Sequence, residues 1–185
     1  MIRYCWIGLL ALAVLLTGCD VGVGGGGILK PGQQVPSLKT KTLKDVGGDL
    51  SKITSYRYPD PRMYQYSFDQ AILQKKPVIL EFATPGHCTQ CDQQLQMLTA
   101  ILDQYQGKIL ILHMDQYYNP EAYSTFHVRG EPWTMVIGAD QKLVTTMPGR
   151  LLYQELNPIL KDLLKPKPKP VAKAKPVATT VPKGS

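Results

Sequence analysis

Apolar positions fall along this chain in three patterns. The first is an almost unbroken run over residues 6–16, and the second is a set of short continuous runs. Val78-Ile79-Leu80-Glu81-Phe82-Ala83 and residues 109–114 belong to that second set, as expected for strands covered on both faces. The third pattern has helical spacing: Leu95, Leu98, Ile101, Leu102 and Tyr105, then Leu152, Leu156, Ile159, Leu160 and Leu163. These predict a helix over 92–105 ended by Gly107 and a final amphipathic helix over 151–164 that accommodates Pro158. Ser67 and Gln70 form a capping-box pattern that opens a short helix reaching Lys75 and Lys76 and stopped by Pro77. A further short helix is expected over 120–126, and residues 134–137 and 143–147 read as a hairpin turning at 139–142. The order strand, helix, strand, helix, hairpin, helix predicts an α/β fold. Its strand–helix–strand unit makes a parallel pair and its hairpin adds antiparallel strands, giving a central mixed sheet with helices on both faces.

Both ends depart from this pattern. Residues 1–18 read as an export signal: Arg3 supplies the positive start, and the apolar run is short for a membrane span. It closes on Leu16-Thr17-Gly18-Cys19, which resembles the bacterial lipobox and makes Cys19 the expected lipidated N-terminus. Asp20 is similar to the residue that retains some lipoproteins at the inner membrane. Residues 19–29 then form the lipidated cysteine and a glycine-rich tether. Residues 30–66 are an N-terminal extension. Short edge strands are expected near 32–38 and 47–51, with a turn at Gly47-Gly48, followed by a loop holding Tyr56, Tyr58, Tyr64 and Tyr66 whose rings pack on the domain. The main domain occupies 67–164. Residues 165–185 carry six lysines and no acid among repeated prolines, so they read as a disordered, polyproline-like basic tail, a spacer or a contact for anionic wall polymer or lipid.

That tail accounts for most of the formal charge of +7, and the signal carries Arg3. The domain is thus close to neutral, which argues against nucleic acid as its partner. Of four cysteines only Cys88 and Cys91 fall in the domain, at the start of the helix that follows the first apolar strand. Unpaired N–H groups and the dipole at a helix N-terminus stabilise a thiolate, so the pair points to dithiol redox chemistry. A structural disulfide is disfavoured because so short a loop constrains little of the unfolded chain. A metal site would draw on Cys88, Cys91 and one or two of His87, His113 and His127, yet no second CxxC stands nearby for zinc, which leaves a cuprous ion as the metal to consider.

Several motifs resemble the thioredoxin superfamily from about Ser67 to Leu164: Lys76-Pro77-Val78-Ile79-Leu80-Glu81-Phe82, Cys88-Thr89-Gln90-Cys91, Asp115-Gln116 with Asn119-Pro120, and Val128-Arg129-Gly130-Glu131-Pro132. Gly32, Val35 and Pro36 are similar to a pattern in membrane-anchored periplasmic members of the TlpA/ResA type. The resemblance implies a thioredoxin-like fold and a thiol–disulfide oxidoreductase of the cell envelope that needs no cofactor beyond the redox-active pair. Cys88 would attack, Cys91 would resolve the mixed disulfide, and Glu81 would shuttle a proton beneath the pair. Pro132 would be a cis-proline, leaving the backbone of Glu131 free to pair with an extended substrate, with His87 beside the site. The implied partners are envelope protein thiols and disulfides and a membrane electron donor, with a reductant's direction of transfer. The alternative is a copper-binding or docking lipoprotein on the same fold. The chain departs from the family in four respects: His87 replaces the tryptophan before the first cysteine, Thr89-Gln90 replaces Gly-Pro between the cysteines, one extra residue separates Phe82 from Cys88, and Glu131 stands where a small or β-branched residue is usual.

Overall fold

The computed structural model describes residues 27–86 and 88–166; the signal segment, Cys19, His87 and nearly all of the basic tail lie outside the described residues. Four strands form one sheet in the order β2-β1-β3-β4: β1 Val78–Phe82, β2 Leu110–Met114, β3 Trp133–Ile137 and β4 Leu143–Pro148. β1 pairs parallel with β2 and antiparallel with β3, and β3 pairs antiparallel with β4. Every residue of β1 is buried, which explains its unbroken apolar run. Val78, Leu80 and Phe82 face α1 (Phe68–Ile72) and α3 (Pro120–Thr125), where Phe68, Ala71, Ala122 and Phe126 complete one core. Ile79 and Ala83 face the other way, towards α2 (Thr89–Tyr105) and α4 (Tyr153–Leu163), and pack with Leu95, Leu98, Leu156 and Leu160. The sheet is mixed and covered on both faces, as the apolar pattern requires.

Helix ends follow local chemistry. Gln70 Oε1 accepts the Ser67 N–H at 3.2 Å at the start of α1. That helix stops at Ile72, before Lys75 adopts a left-handed φ of 54°, so it is shorter than its sequence pattern predicts. α2 begins at Thr89, three residues earlier than the apolar spacing shows, because its N-cap is Cys88 and the buried residue of its first turn is Cys91. Pro158 sits inside α4, and the preceding Asn157 accepts a 2.6 Å bond from the Tyr105 hydroxyl that docks this helix on α2.

The extension departs most from expectation. The segment near Gly32 lines the start of β4 through three backbone bonds, Gly32 N–H to the Leu143 carbonyl, Leu143 N–H to the Gln33 carbonyl and Val35 N–H to the Gln141 carbonyl, yet only Gln34 forms a bridge, to Lys142. The second expected strand is instead a 3-10 helix, Leu50–Lys52, capped by Asp49, whose side chain accepts the Ser51 N–H at 3.1 Å. An acid two residues before the donor satisfies a backbone N–H that a strand would have sent to a neighbour. The tyrosine-rich stretch also coils, at Pro61–Tyr64. Tyr56 and Tyr64 are buried in the α2/α4 core as expected, whereas Tyr58 is exposed beside the Arg57 guanidinium.

This segment is tied to the sheet by one buried acid. Asp115, just past β2, accepts the Ser55 N–H at 2.7 Å and the Ser55 hydroxyl at 2.6 Å through Oδ2, and the Tyr117 N–H at 3.0 Å through Oδ1. Ser55 Oγ also lies 3.2 Å from the Pro85 carbonyl, in the loop that leads to the cysteines. Replacing Asp115 with alanine orphans three donors, each bonded to a buried carboxylate, so Asp115→Ala is expected to cost about 3 kcal/mol. Urea unfolding checks this, and proteolytic cleavage near Ser55 should accelerate in the variant.

Candidate functional site

β1 ends at Phe82 and the chain turns through Ala83 to Gly86, where Gly86 takes a φ of +97° open only to residues without a Cβ at low cost. Cys88 is the N-cap of α2 in an extended conformation, and its sulfur accepts the Cys91 N–H at 3.2 Å. The two cysteines are joined as a disulfide with Cα atoms 5.2 Å apart. Their environments differ: Cys88 is half-buried and Cys91 is fully buried. On reduction the Cys88 sulfur inherits an N–H donor and the positive end of a 17-residue helix. The half-buried Cys88 sulfur is thus the one an incoming sulfur can reach, and the Cys91 sulfur is covered.

The opposite wall is the loop before β3, where the Glu131–Pro132 bond is cis. The Glu131 side chain turns inward. Its carboxylate accepts the Thr84 N–H at 2.9 Å, the Thr84 hydroxyl at 2.7 Å and the Tyr123 hydroxyl at 2.7 Å. One oxygen lies 3.9 Å from the Cys91 sulfur, and both sulfurs and this carboxylate fall within 4.8 Å of one another. Sequence reasoning gave Glu131 a role through its backbone and missed its carboxylate. The available signal was the acid itself, standing where a small residue is usual.

Glu81 is fully buried on the α2/α4 face, in a row with His113 on β2 and Thr134 on β3. Gln94 of α2 donates to one Glu81 oxygen at 2.9 Å and Thr134 donates to the other at 2.6 Å. Gln94 also accepts the Leu151 N–H at 2.6 Å, so one side chain joins helix, sheet and the entry to α4. Burial pushes the Glu81 carboxyl up to about 7, opposed by its two hydrogen bonds and assisted by repulsion from Glu131. Neither sulfur is among its hydrogen-bond partners. Burial likewise pushes His113 below its ordinary value. Its Nε2 donates to the Ala83 carbonyl at 2.8 Å and its Nδ1 accepts the Tyr64 hydroxyl at 2.6 Å, the tautomer that this network requires. With both nitrogens engaged, His113 is a core residue bracing the turn before the cysteines. The histidines weighed as metal ligands are not assembled around the pair among the described residues; the nearby third group is the Glu131 carboxylate, a hard donor ill suited to cuprous ion.

Comparison with known proteins agrees with this geometry. The thioredoxin family profile matches residues 62–162, just over half of the chain. The chain belongs to the thioredoxin family. It is 30% identical over 94 residues to thioredoxin 1 of Nostoc sp., spanning 49% of this chain and 87% of that protein. It is 26% identical over 84 residues to the thioredoxin of Synechocystis sp., spanning 45% of this chain and 78% of that one. A solved Halobacterium salinarum thioredoxin variant superposes with a TM-score of 0.49 at 20% identity, over 56% of this chain and 88% of that chain. Within this thioredoxin-family domain, Cys88, Cys91 and Glu131 meet at one point, Pro132 follows in the same wall, and Glu81 lies beneath as a separate, dry cluster.

The buried acid has a measurable signature. Its folded pKa of about 7 lies above the unfolded value of 4.5, so the folded state holds the extra proton between these limits and stability falls as pH rises through them. The wild type should lose about 2.5 kcal/mol from pH 5 to pH 8 through this group. In Glu81→Gln the loss attributable to this group disappears, and denaturant unfolding of both proteins at the two pH values checks the difference.

Proposed function

We propose that the protein is a thiol–disulfide oxidoreductase of the bacterial cell envelope that works as a reductant. The observation that carries this reading is the Cys88–Cys91 disulfide at the N-terminus of α2, with one half-exposed and one buried sulfur facing the Pro132 loop. In the reduced protein the Cys88 thiolate attacks one sulfur of a substrate disulfide, and the other substrate sulfur leaves as a thiol. Cys91 then loses its proton and attacks the Cys88 sulfur. This releases the second substrate thiol and leaves the Cys88–Cys91 disulfide, so two electrons have passed to the substrate. A membrane thiol donor of the kind that serves TlpA/ResA-like proteins would return them. The Glu131 carboxylate favours this direction, because a negative charge beside the sulfurs disfavours the thiolates on which a strong oxidant depends.

The location rests on sequence. Leu16-Thr17-Gly18-Cys19 supports a lipid anchor, with the glycine-rich stretch as tether and the lysine–proline tail reaching anionic wall polymer or lipid. Among the described residues no helix is long and apolar enough to cross a membrane.

Insulin reduction tests the chemistry. Cys88→Ser should abolish turnover, and Cys91→Ser should stall as a trapped mixed disulfide; turnover surviving in both variants contradicts the reading. For the anchor, palmitate labelling of the full chain in a bacterial host should be lost in Cys19→Ser, and the protein should move from the membrane to the soluble fraction. Labelling that persists in this variant contradicts the anchor alone.

A further inference from the structure

We propose that the side chain of Glu131 is the base that takes the Cys91 proton when the mixed disulfide is resolved. The inference rests on the oxidoreductase reading and adds a catalytic residue to it.

Resolution needs a proton acceptor that reaches Cys91. Cys91 is fully buried, so water does not reach it freely. Glu131 Oε2 stands 3.9 Å from its sulfur, within reach of an S–H donor. The carboxylate is held in place by Thr84 and Tyr123, which fix both oxygens through three donors. Such pinning removes the side-chain reorganisation that an unsupported acid would need. Glu131 is also half-buried and lines an open cleft of about 250 Å³ with Gln116, Tyr123 and Arg129, so a proton taken from the inner sulfur has an exit to solvent. Glu81 lacks both properties: it is sealed from solvent and bonded to Gln94 and Thr134.

The ionisable groups around Glu131 are Cys88 and Cys91 on α2, Tyr123 on α3, Glu81 on β1, His113 on β2, Asp115 just beyond it, and Arg129 on the Glu131 loop. Burial and the Glu131 bond both push the Tyr123 phenol upward, so it remains a donor throughout the working range.

The step balances. With the Cys88 sulfur bonded to substrate, the Cys91 S–H bond breaks towards Glu131 and the resulting thiolate attacks the Cys88 sulfur. The Cys88–Cys91 bond forms, the substrate–Cys88 bond breaks, and the electron pair leaves on the substrate sulfur. The proton on Glu131 passes to that thiolate or to solvent.

Two roles for this carboxylate give opposite signs. A carboxylate acting only through its charge makes Cys91 harder to ionise, and removing it speeds resolution. A base that takes the proton slows resolution when removed.

The test is single-turnover reaction of the reduced full-length protein with an aromatic disulfide of the Ellman type. One coloured thiolate is released when Cys88 attacks and a second when Cys91 resolves. Glu131→Gln, an isosteric change, is expected to leave the first release as fast or faster, because the charge opposing the Cys88 thiolate is gone, and to slow the second about 10²-fold at neutral pH, the lower range for a positioned base. The pH profile of the second release should change from a plateau in the wild type to a tenfold rise per pH unit in the variant. A second release that is unchanged or faster in Glu131→Gln overturns the proposal. Should that variant fail to fold, Glu131→Asp serves in its place: a slower second release that keeps the plateau supports the base, and a tenfold rise per pH unit overturns it. Loss of the first release in the wild type would instead overturn the oxidoreductase reading.

Discussion

A strand buried on both faces can hold an ionisable side chain only if neighbouring elements supply its hydrogen bonds, and β1 carries Glu81 at a fully covered position. Thr134 on β3 and Gln94 on α2 meet that requirement. The consequence reaches beyond one acid. Gln94 is anchored to the sheet and to the Leu151 amide, which fixes the rotation and depth of α2. Cys91 precedes Gln94 by one turn on the same helix, so the fixed helix presents its sulfur to the Pro132 loop. The polar bond that satisfies the core also places the reactive pair.

The site and the core beside it each hold a carboxylate, at different depths. Glu81 is dry and held near neutrality by burial, and Glu131 is partly wet and held against the inner sulfur by Thr84 and Tyr123. Repulsion from Glu131 adds to the burial that raises the Glu81 carboxyl. Glu81 bridges helix and sheet, and Glu131 is the acid in contact with the cysteine pair. Ser55 and Asp115 press the N-terminal extension against the same loop from outside, so the active turn is braced on three sides.

The parts legible from sequence were those governed by periodic burial. The apolar runs at β1 and β2, the helical stripes of α2 and α4, and the β3–β4 hairpin all follow from which side chains must be hidden. The cysteine pair was legible because its spacing is chemical. The extension was not: Asp49 decides the form of its second segment through its side-chain cap, and the β propensity of the surrounding residues is too weak to oppose it. Gln94 and Asp115 were equally invisible, since a polar residue within a helix or after a strand looks like a surface residue until its partners are known. Glu131 lay between these cases. Its position before Pro132 placed it at the site, but the direction of its side chain depends on Thr84 and Tyr123, which come from two other elements.

The central claim, that Cys88 and Cys91 form a reducing pair, is most directly tested by equilibrating the full-length protein with dithiol–disulfide buffers of known potential and counting free thiols. The proposed reductant should settle near the thioredoxin value of about −270 mV, and a potential near −120 mV, that of a strong periplasmic oxidant, would contradict it.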